Sequence, residues 1–228
     1  MPRSLGSLAM TPLMGILSYL IPQTILRTSS KYNRDIRINE ERGKLKLLVN
    51  GSRQSGAYIE RLWRRAFKAF AITHQNSVRS ILVLGVAGGT VIQLLHRMYS
   101  DASITGVDID EVMIHVGRTY FGLAAMNKLH LIRMDAKHYV RQAVAQKRRY
   151  DLVIVDLFFG RHIPAFIRSS RFLEQVKKLI QPDGRVIINY LREQEYKEQS
   201  DKLIALLQKM FVGVSDFGIF HNRFFSAN

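Results

Sequence analysis

From residue 80 onward the chain alternates between two hydrophobic periods. Apolar, largely β-branched runs at 81–84, 104–107, 129–132, 152–155 and 186–189 read as strands. Segments with apolar residues at helical spacing separate them at 90–99, 111–121, 136–146 and 169–180, and another follows at 196–210. Near-continuous apolar strands such as Leu152-Val153-Ile154-Val155 suit a sheet covered on both faces. Strands alternating with helices of this length predict an α/β fold with a doubly wound, mostly parallel sheet of the seven-stranded type. The closing stretch, VGVSDFGIFHNRFF, adds two strand-like pieces about Gly218, expected as an antiparallel edge pair.

Upstream the pattern is different. Residues 35–49 hold two short alternating runs around Glu40-Glu41-Arg42-Gly43, the signature of a β-hairpin, and Asn50-Gly51 turns the chain again. Residues 57–73 place Tyr58, Leu62, Ala66 and Phe70 on one helical face, with Arg61, Arg64, Arg65 and Lys68 elsewhere on the surface. The expected organisation is an N-terminal helix and hairpin extension over 1–56, followed by a nucleotide-binding domain over 57–228. The apolar run 5–26 is interrupted by Pro12 and Pro22 and lacks a clear cleavage site. It predicts a short helix packed on the body or on a second subunit, with a homodimer left open, and disfavours a membrane span.

The charge balance changes the picture of partners. The chain has 34 Lys and Arg against 18 Asp and Glu, a net charge of +16. Residues 1–79 hold 14 of the basic and only 4 of the acidic side chains. Such a field favours anionic partners such as nucleic acid or a lipid surface. The stripe Arg61, Arg64, Arg65 and Lys68, with Lys147-Arg148-Arg149, forms either a phosphate track or ordinary solvated faces. There are no cysteines, which excludes disulfides and thiolate metal sites; no metal is expected, and a cytoplasmic location is.

Candidate chemistry begins at ILVLGVAGGTVIQLL, residues 81–95. A strand runs into Gly85, Ala87, Gly88 and Gly89, then restarts as a helix. Small residues there allow positive φ and close approach of a nucleotide to backbone. The dinucleotide fingerprint would need glycine at 87 and 90, where Ala87 and Thr90 stand, so an NAD site is disfavoured. Three later strands each end in an acid: Asp108, Asp135 and Asp156. At the carboxyl edge of a parallel sheet, Asp108 suits a ribose, Asp135 an adenine amino group, and Asp156 the crevice where strand order reverses. Each acid alone is also a good helix N-cap. The three together favour an adenosine ligand without a diphosphate.

From residue 35 to 190 these motifs resemble the spermidine synthase branch of the class I S-adenosylmethionine-dependent transferases. LLVNGSRQSGAYIERL is similar to that family's D-G-x-x-Q turn before its first helix, ILVLGVAGGTVIQLL to its G-G-G-D-G-G loop, and VDIDEVMI to its E-I-D-E-x-V-I stretch. RMDAKHYV is similar to its D-G/A pair, and LIQPDGRVIINY to its P-D-G turn. The resemblance implies a class I methyltransferase, Rossmann-like fold. It also implies a cofactor site of Gln54, Gly85, Ala87, Gly88, Gly89, Asp108, Ile109, Asp135 and Ala136, with Asp156 as the catalytic residue. The cofactor it implies is S-adenosylmethionine or its decarboxylated form.

Two departures bear on the reaction. The family's loop acid, which contacts the transferred aminopropyl group, falls at Gly88, and the second acid of its D-S-S-D falls at Phe159. A cationic polyamine needs several carboxylates to replace its hydration. The sequence therefore favours methyl transfer from intact S-adenosylmethionine, whose own carboxylate the Gly88 N–H could accommodate, to a small-molecule acceptor beside Asp156. Aminopropyl transfer to a polyamine stays open, as does a catalytically silent nucleoside-binding protein docking on nucleic acid or membrane. His162 and Tyr190 are secondary candidates, expected to be solvated and packed respectively, and Phe158 and Phe159 either stack on a flat acceptor or fill core.

Overall fold

The computed structural model describes Tyr19, residues 21–72 and residues 78–228. The N-terminal part is an antiparallel sheet of four strands in sequential order: β1 (Gln23–Thr28), β2 (Ile36–Glu41), β3 (Lys44–Val49) and β4 (Ser52–Ser55). Arg42-Gly43 and Asn50-Gly51 make its tight turns, all four residues having positive φ, as the turns matched to strand twist demand. The expected hairpin is thus β2–β3, and β4 extends it. Of the run expected to be a helix over 5–26, residues 5–18 and 20 lie outside the described residues. Residues 23–26 belong to strand β1, paired with β2, because Thr24, Ile25 and Leu26 complete the edge of a sheet that alternation had already started.

The rest follows the predicted alternation, each of its first five strands being followed by its helix. The elements are α1 (Ala57–Ala69), β5 (Ser80–Leu84), α2 (Thr90–Met98), β6 (Ser103–Asp108), α3 (Glu111–Tyr120) and β7 (Leu129–Arg133). Then come α4 (Ala136–Ala145), β8 (Tyr150–Val155), α5 (Ser170–Lys178), β9 (Ile180–Leu191), α6 (Gln194–Met210), β10 (Val214–Ile219) and β11 (Asn222–Ala227). The sheet order is β10-β11-β9-β8-β5-β6-β7, with β5 to β9 parallel and β11 antiparallel to both neighbours. The strand order reverses between β5 and β8, which puts the crevice above their carboxyl ends.

Period-two packing sorts the strand residues between two cores. Leu82, Leu84, Val153, Val155, Val186 and Ile188 face α4, α5 and α6, whereas Ile81, Val83, Leu152, Ile154 and Ile187 face α1 and α2. Both sets are buried, so the strands had to be apolar throughout. Two details differ from the sequence reading. The last hairpin turns at Phe220-His221, with Phe220 at φ 50, while Gly218 lies inside β10 opposite Arg223. The Pro-Asp-Gly segment is a register irregularity within β9, which pairs Ile180 with Tyr150 before resuming at Arg185 opposite Leu152. Among the described residues no helix is long and apolar enough to cross a membrane.

The small sheet is fastened to the large one by both apolar and polar contacts. Ile36, Ile38, Leu47 and Val49 pack on Met113 and Val116 of α3. Buried Asp110 caps α3 by accepting from the Val112 N–H, and its other oxygen accepts from Ser30 Oγ and Asn33 Nδ2. One carboxylate thus serves a helix terminus and the loop between β1 and β2. Replacing Asp110 by Ala removes the cap and strands two donors, so denaturant unfolding should show a loss of about 3 kcal/mol. A loss below about 1 kcal/mol would mean that the contact is dispensable.

Candidate active site

The loop between β5 and α2 is built by two close approaches. Gly85 has φ 94, and a Cβ there would lie 2.0 Å from the carbonyl oxygen of Asp156, so only glycine lets β8 leave the sheet alongside it. At Gly88 a Cβ would lie 2.6 Å from Ser55 Oγ. The Gly88 N–H donates to that hydroxyl at 2.9 Å, and the Gly56 N–H donates to Thr90 Oγ1. The corner between β4 and α1 is therefore seated on the loop. Gly88 and Gly89 are buried behind the cavity wall, the Gly89 N–H donating to the Val86 carbonyl. The Gly88 N–H, expected from the sequence to accommodate a cofactor carboxylate, is engaged by Ser55 Oγ in this structure.

Asp108 ends β6 and braces the same loop. Its Oδ2 accepts from the N–H groups of Val86 and Ala87, and its Oδ1 from that of Asp110. Burial pushes its pKa up, against the pull of these three donors toward the ionised form. Asp135 ends β7 and caps α4 by accepting from the His138 N–H at 3.0 Å. Capping and cavity lining coincide in this residue, so the two readings of the sequence were not exclusive.

A cavity lies above these strand ends, at the place where ligands bind in open α/β sheets. Gln54, Gly85, Ala87, Asp108, Ile109, Asp135, Ala136 and Asp156 all line it, together with apolar Val107, Met134 and Phe158. Ala136 opens α4, where the first N–H groups have no partner within the helix. A second cavity adjoins the first, sharing Gln54, Asp156 and Phe158 as the partition. Gln54 Nε2 donates to the Gly160 carbonyl and ties that partition to the loop after β8.

Asp156 sits at the boundary of the two cavities. Asn189 Nδ2 donates to its Oδ1 at 2.8 Å, and Asn222 Nδ2 donates to Asn189 Oδ1 at 2.9 Å. The indole of fully buried Trp63 also stabilises the carboxylate, although its N–H falls outside hydrogen-bond geometry. No cation pairs with Asp156 among the described residues. Desolvation therefore dominates and raises its pKa to about 6.

Asn189, Asn222 and Trp63 were missed by the sequence reading. Asn189 had a visible signal, since it is polar at the carboxyl end of an apolar strand, as the three acids are. Tyr190, one residue on, shares the parity of Val186 and Ile188. It is fully buried against α6, its hydroxyl donating to Gln199 Oε1. His162 is exposed. Phe158 and Phe159 line the first cavity, and Phe159 stacks on Tyr32 with ring centroids 6.3 Å apart.

Comparison with known proteins now becomes informative. The family model of the spermine/spermidine synthase domain matches residues 62–219. The chain belongs to that family. Within the spermine/spermidine synthase group its similarities run to two kinds of transferase. It is 28% identical over 109 residues to a polyamine aminopropyltransferase of Vibrio vulnificus, covering 48% of this chain and 36% of the relative. It is 29% identical over 147 residues to an eEF1A lysine and N-terminal methyltransferase homolog of Drosophila pseudoobscura pseudoobscura, covering 61% of this chain and 21% of the relative. The chain thus spans about a third and about a fifth of these two proteins. The solved structure of human methyltransferase-like protein 13 in complex with SAH superposes with a TM-score of 0.63 at 22% identity, covering 73% of this chain and 81% of that one.

The environment of Asp156 has a measurable consequence. A carboxyl with a pKa near 6 folded and about 3.9 unfolded binds more protons in the native state between those values. Its contribution is thus greatest below about pH 4 and is lost as pH rises to about 6. Asp156→Asn keeps the acceptor for Asn189 and removes the buried charge, so it should raise stability at pH 8 by about 2 kcal/mol, read by thermal or urea unfolding. Equal destabilisation at pH 4 and pH 8 would contradict this environment.

Proposed function

We propose that the protein transfers a methyl group from S-adenosylmethionine to an acceptor seated in the second cavity. The residues at hand fit the cofactor. Asp108 Oδ1 accepts one hydrogen bond and keeps a lone pair for a ribose hydroxyl. Asp135 and the Ala136 N–H suit a purine edge between Ile109 and Met134, and Gly85 and Ala87 let the nucleoside approach backbone. When bound, the cofactor supplies an activated methyl group on a sulfonium. The chain supplies position and a base. Asp156, at the partition, orients the nucleophile and accepts its proton, and Asn189 holds the carboxylate against rotation. With its pKa near 6, Asp156 is ionised at neutral pH and poised for that work.

The observation that favours methyl over aminopropyl transfer is the shortage of carboxylates around the acceptor cavity. Its acids are Asp156 and Glu193. Glu193 is already engaged by Arg161 and by His221 Nδ1. At position 88 the space for an acid is filled by Ser55, and position 159 carries a phenyl ring stacked on Tyr32. A polycation entering this space would exchange its hydration for one unpaired carboxylate while meeting Arg53.

Thermal unfolding with each cofactor separates the readings. S-adenosylmethionine at about a hundred times its Kd should add about 2.7 kcal/mol of stability and raise Tm by roughly 5–10 °C. Decarboxylated S-adenosylmethionine and NAD should give smaller shifts. A larger shift from the decarboxylated form would favour polyamine chemistry, and no shift from any of them would remove the transferase reading.

A further inference from the structure

We infer that the acceptor is carried by a single-stranded nucleic acid, held along a strip of alternating guanidinium groups and aromatic rings that leads out of the second cavity. The inference rests on the transferase reading for the acceptor's role, but the strip itself is independent of it. Arg53 and Tyr58 line the cavity, with the Arg53 guanidinium over the Tyr58 ring at 5.7 Å. The Tyr58 ring meets the Phe220 ring at 6.0 Å, and the Arg65 guanidinium lies 5.9 Å over Phe220. The order outward from the cavity is therefore Arg53, Tyr58, Phe220, Arg65. Phe220 forms the turn between β10 and β11 and is 59% exposed, which is unusual for so large an apolar ring.

The helix α1 divides its cations in a way the sequence did not reveal. Arg64 is paired with Glu60, which also takes Arg97. Arg61 and Arg65 follow Tyr58 by three and seven residues, on one face of the helix. Neither they nor Arg53 enter an ion pair among the described residues. Lys147-Arg148-Arg149, by contrast, precede β8 at the amino edge of the sheet, opposite the cavity. Arg149 there donates to the Ile180 carbonyl. The expected phosphate track thus reduces to the α1 face and Arg53.

Three features favour nucleic acid over an acidic polypeptide. Exposed rings interleaved with arginines match the two demands of a single strand, stacking for bases and cations for phosphates. At the end of the strip the cavity offers the amides of Gln54, Asn189 and Asn222 beside Phe158, groups suited to a base edge or sugar hydroxyl. It also carries Arg53, which has no ion-pair partner among the described residues and disfavours an ammonium nucleophile. A paired base could not enter the cavity without leaving its duplex.

Fluorescence anisotropy with labelled oligothymidylate and oligouridylate of about twelve nucleotides tests this on the full chain without cofactor. Binding should weaken steeply with salt, and the Arg53→Ala/Arg65→Ala double variant should flatten the log–log salt slope by roughly two. Phe220→Ala, at an exposed turn, should raise Kd roughly tenfold with the slope unchanged, and Phe220→Tyr should restore affinity. The inference is overturned if oligonucleotides do not bind, or if a polyglutamate of matching charge competes equally and Phe220→Ala has no effect. Tighter binding of a duplex than of either single strand also overturns it. Loss of S-adenosylmethionine binding would sink the transferase reading while leaving this result intact.

Discussion

A carboxylate held between two cavities by the Asn189 amide, flanked by a buried indole and paired with no cation among the described residues, sets the terms for the rest of this site. Asp156 owes its position to the crossing of β8 over Gly85, where the two backbones come so near that no side chain fits between them. The glycine is required by that approach. The same crossing puts the Asp156 side chain beside the space that the β5–α2 loop leaves open. Neutral donors can orient a carboxylate without pinning its charge, so burial rather than pairing sets its proton affinity. An ion-paired acid in the same place would be a weaker base at neutral pH.

The small N-terminal sheet belongs to the site as much as the large one does. Its last strand delivers Ser55 to the Gly88 N–H and Gln54 to the Gly160 carbonyl, so it closes the glycine loop from one side and the β8 loop from the other. Asp110 secures the arrangement through Ser30 and Asn33. This docking fills the two positions where the resemblance led us to expect acids. Ser55 takes the room that an acid at position 88 would need, and Tyr32 supplies the ring on which Phe159 stacks. The packing of the extension thus leaves no room for acids at these two positions, and the second cavity is poor in negative charge.

Most of the large sheet was legible because its strands are apolar on both faces and each ends in an acid or a small residue. The period-two sorting that places Ile187 and Ile188 in different cores also fixes Asn189 toward Trp63 and Tyr190 toward α6. Attention to that parity would have chosen Asn189. Strand β4, Ser-Arg-Gln-Ser, is polar and four residues long, and it exists only because β3 offers it an edge, so no local pattern announces it. The contact between Gly88 and Ser55 was illegible for a related reason. A glycine N–H in a phosphate-binding type of loop invites a ligand, and only the tertiary structure reveals that a serine from another sheet has already taken it.

The most direct test of this account is the titration of Asp156 itself. Carboxyl ¹³C shifts of selectively labelled protein, with Asp156→Asn to assign the resonance, should give a midpoint near 6. A midpoint near the ordinary value of about 4 would show that water or a cation reaches the carboxylate, and would contradict the desolvated, neutrally held acid on which the proposed chemistry depends.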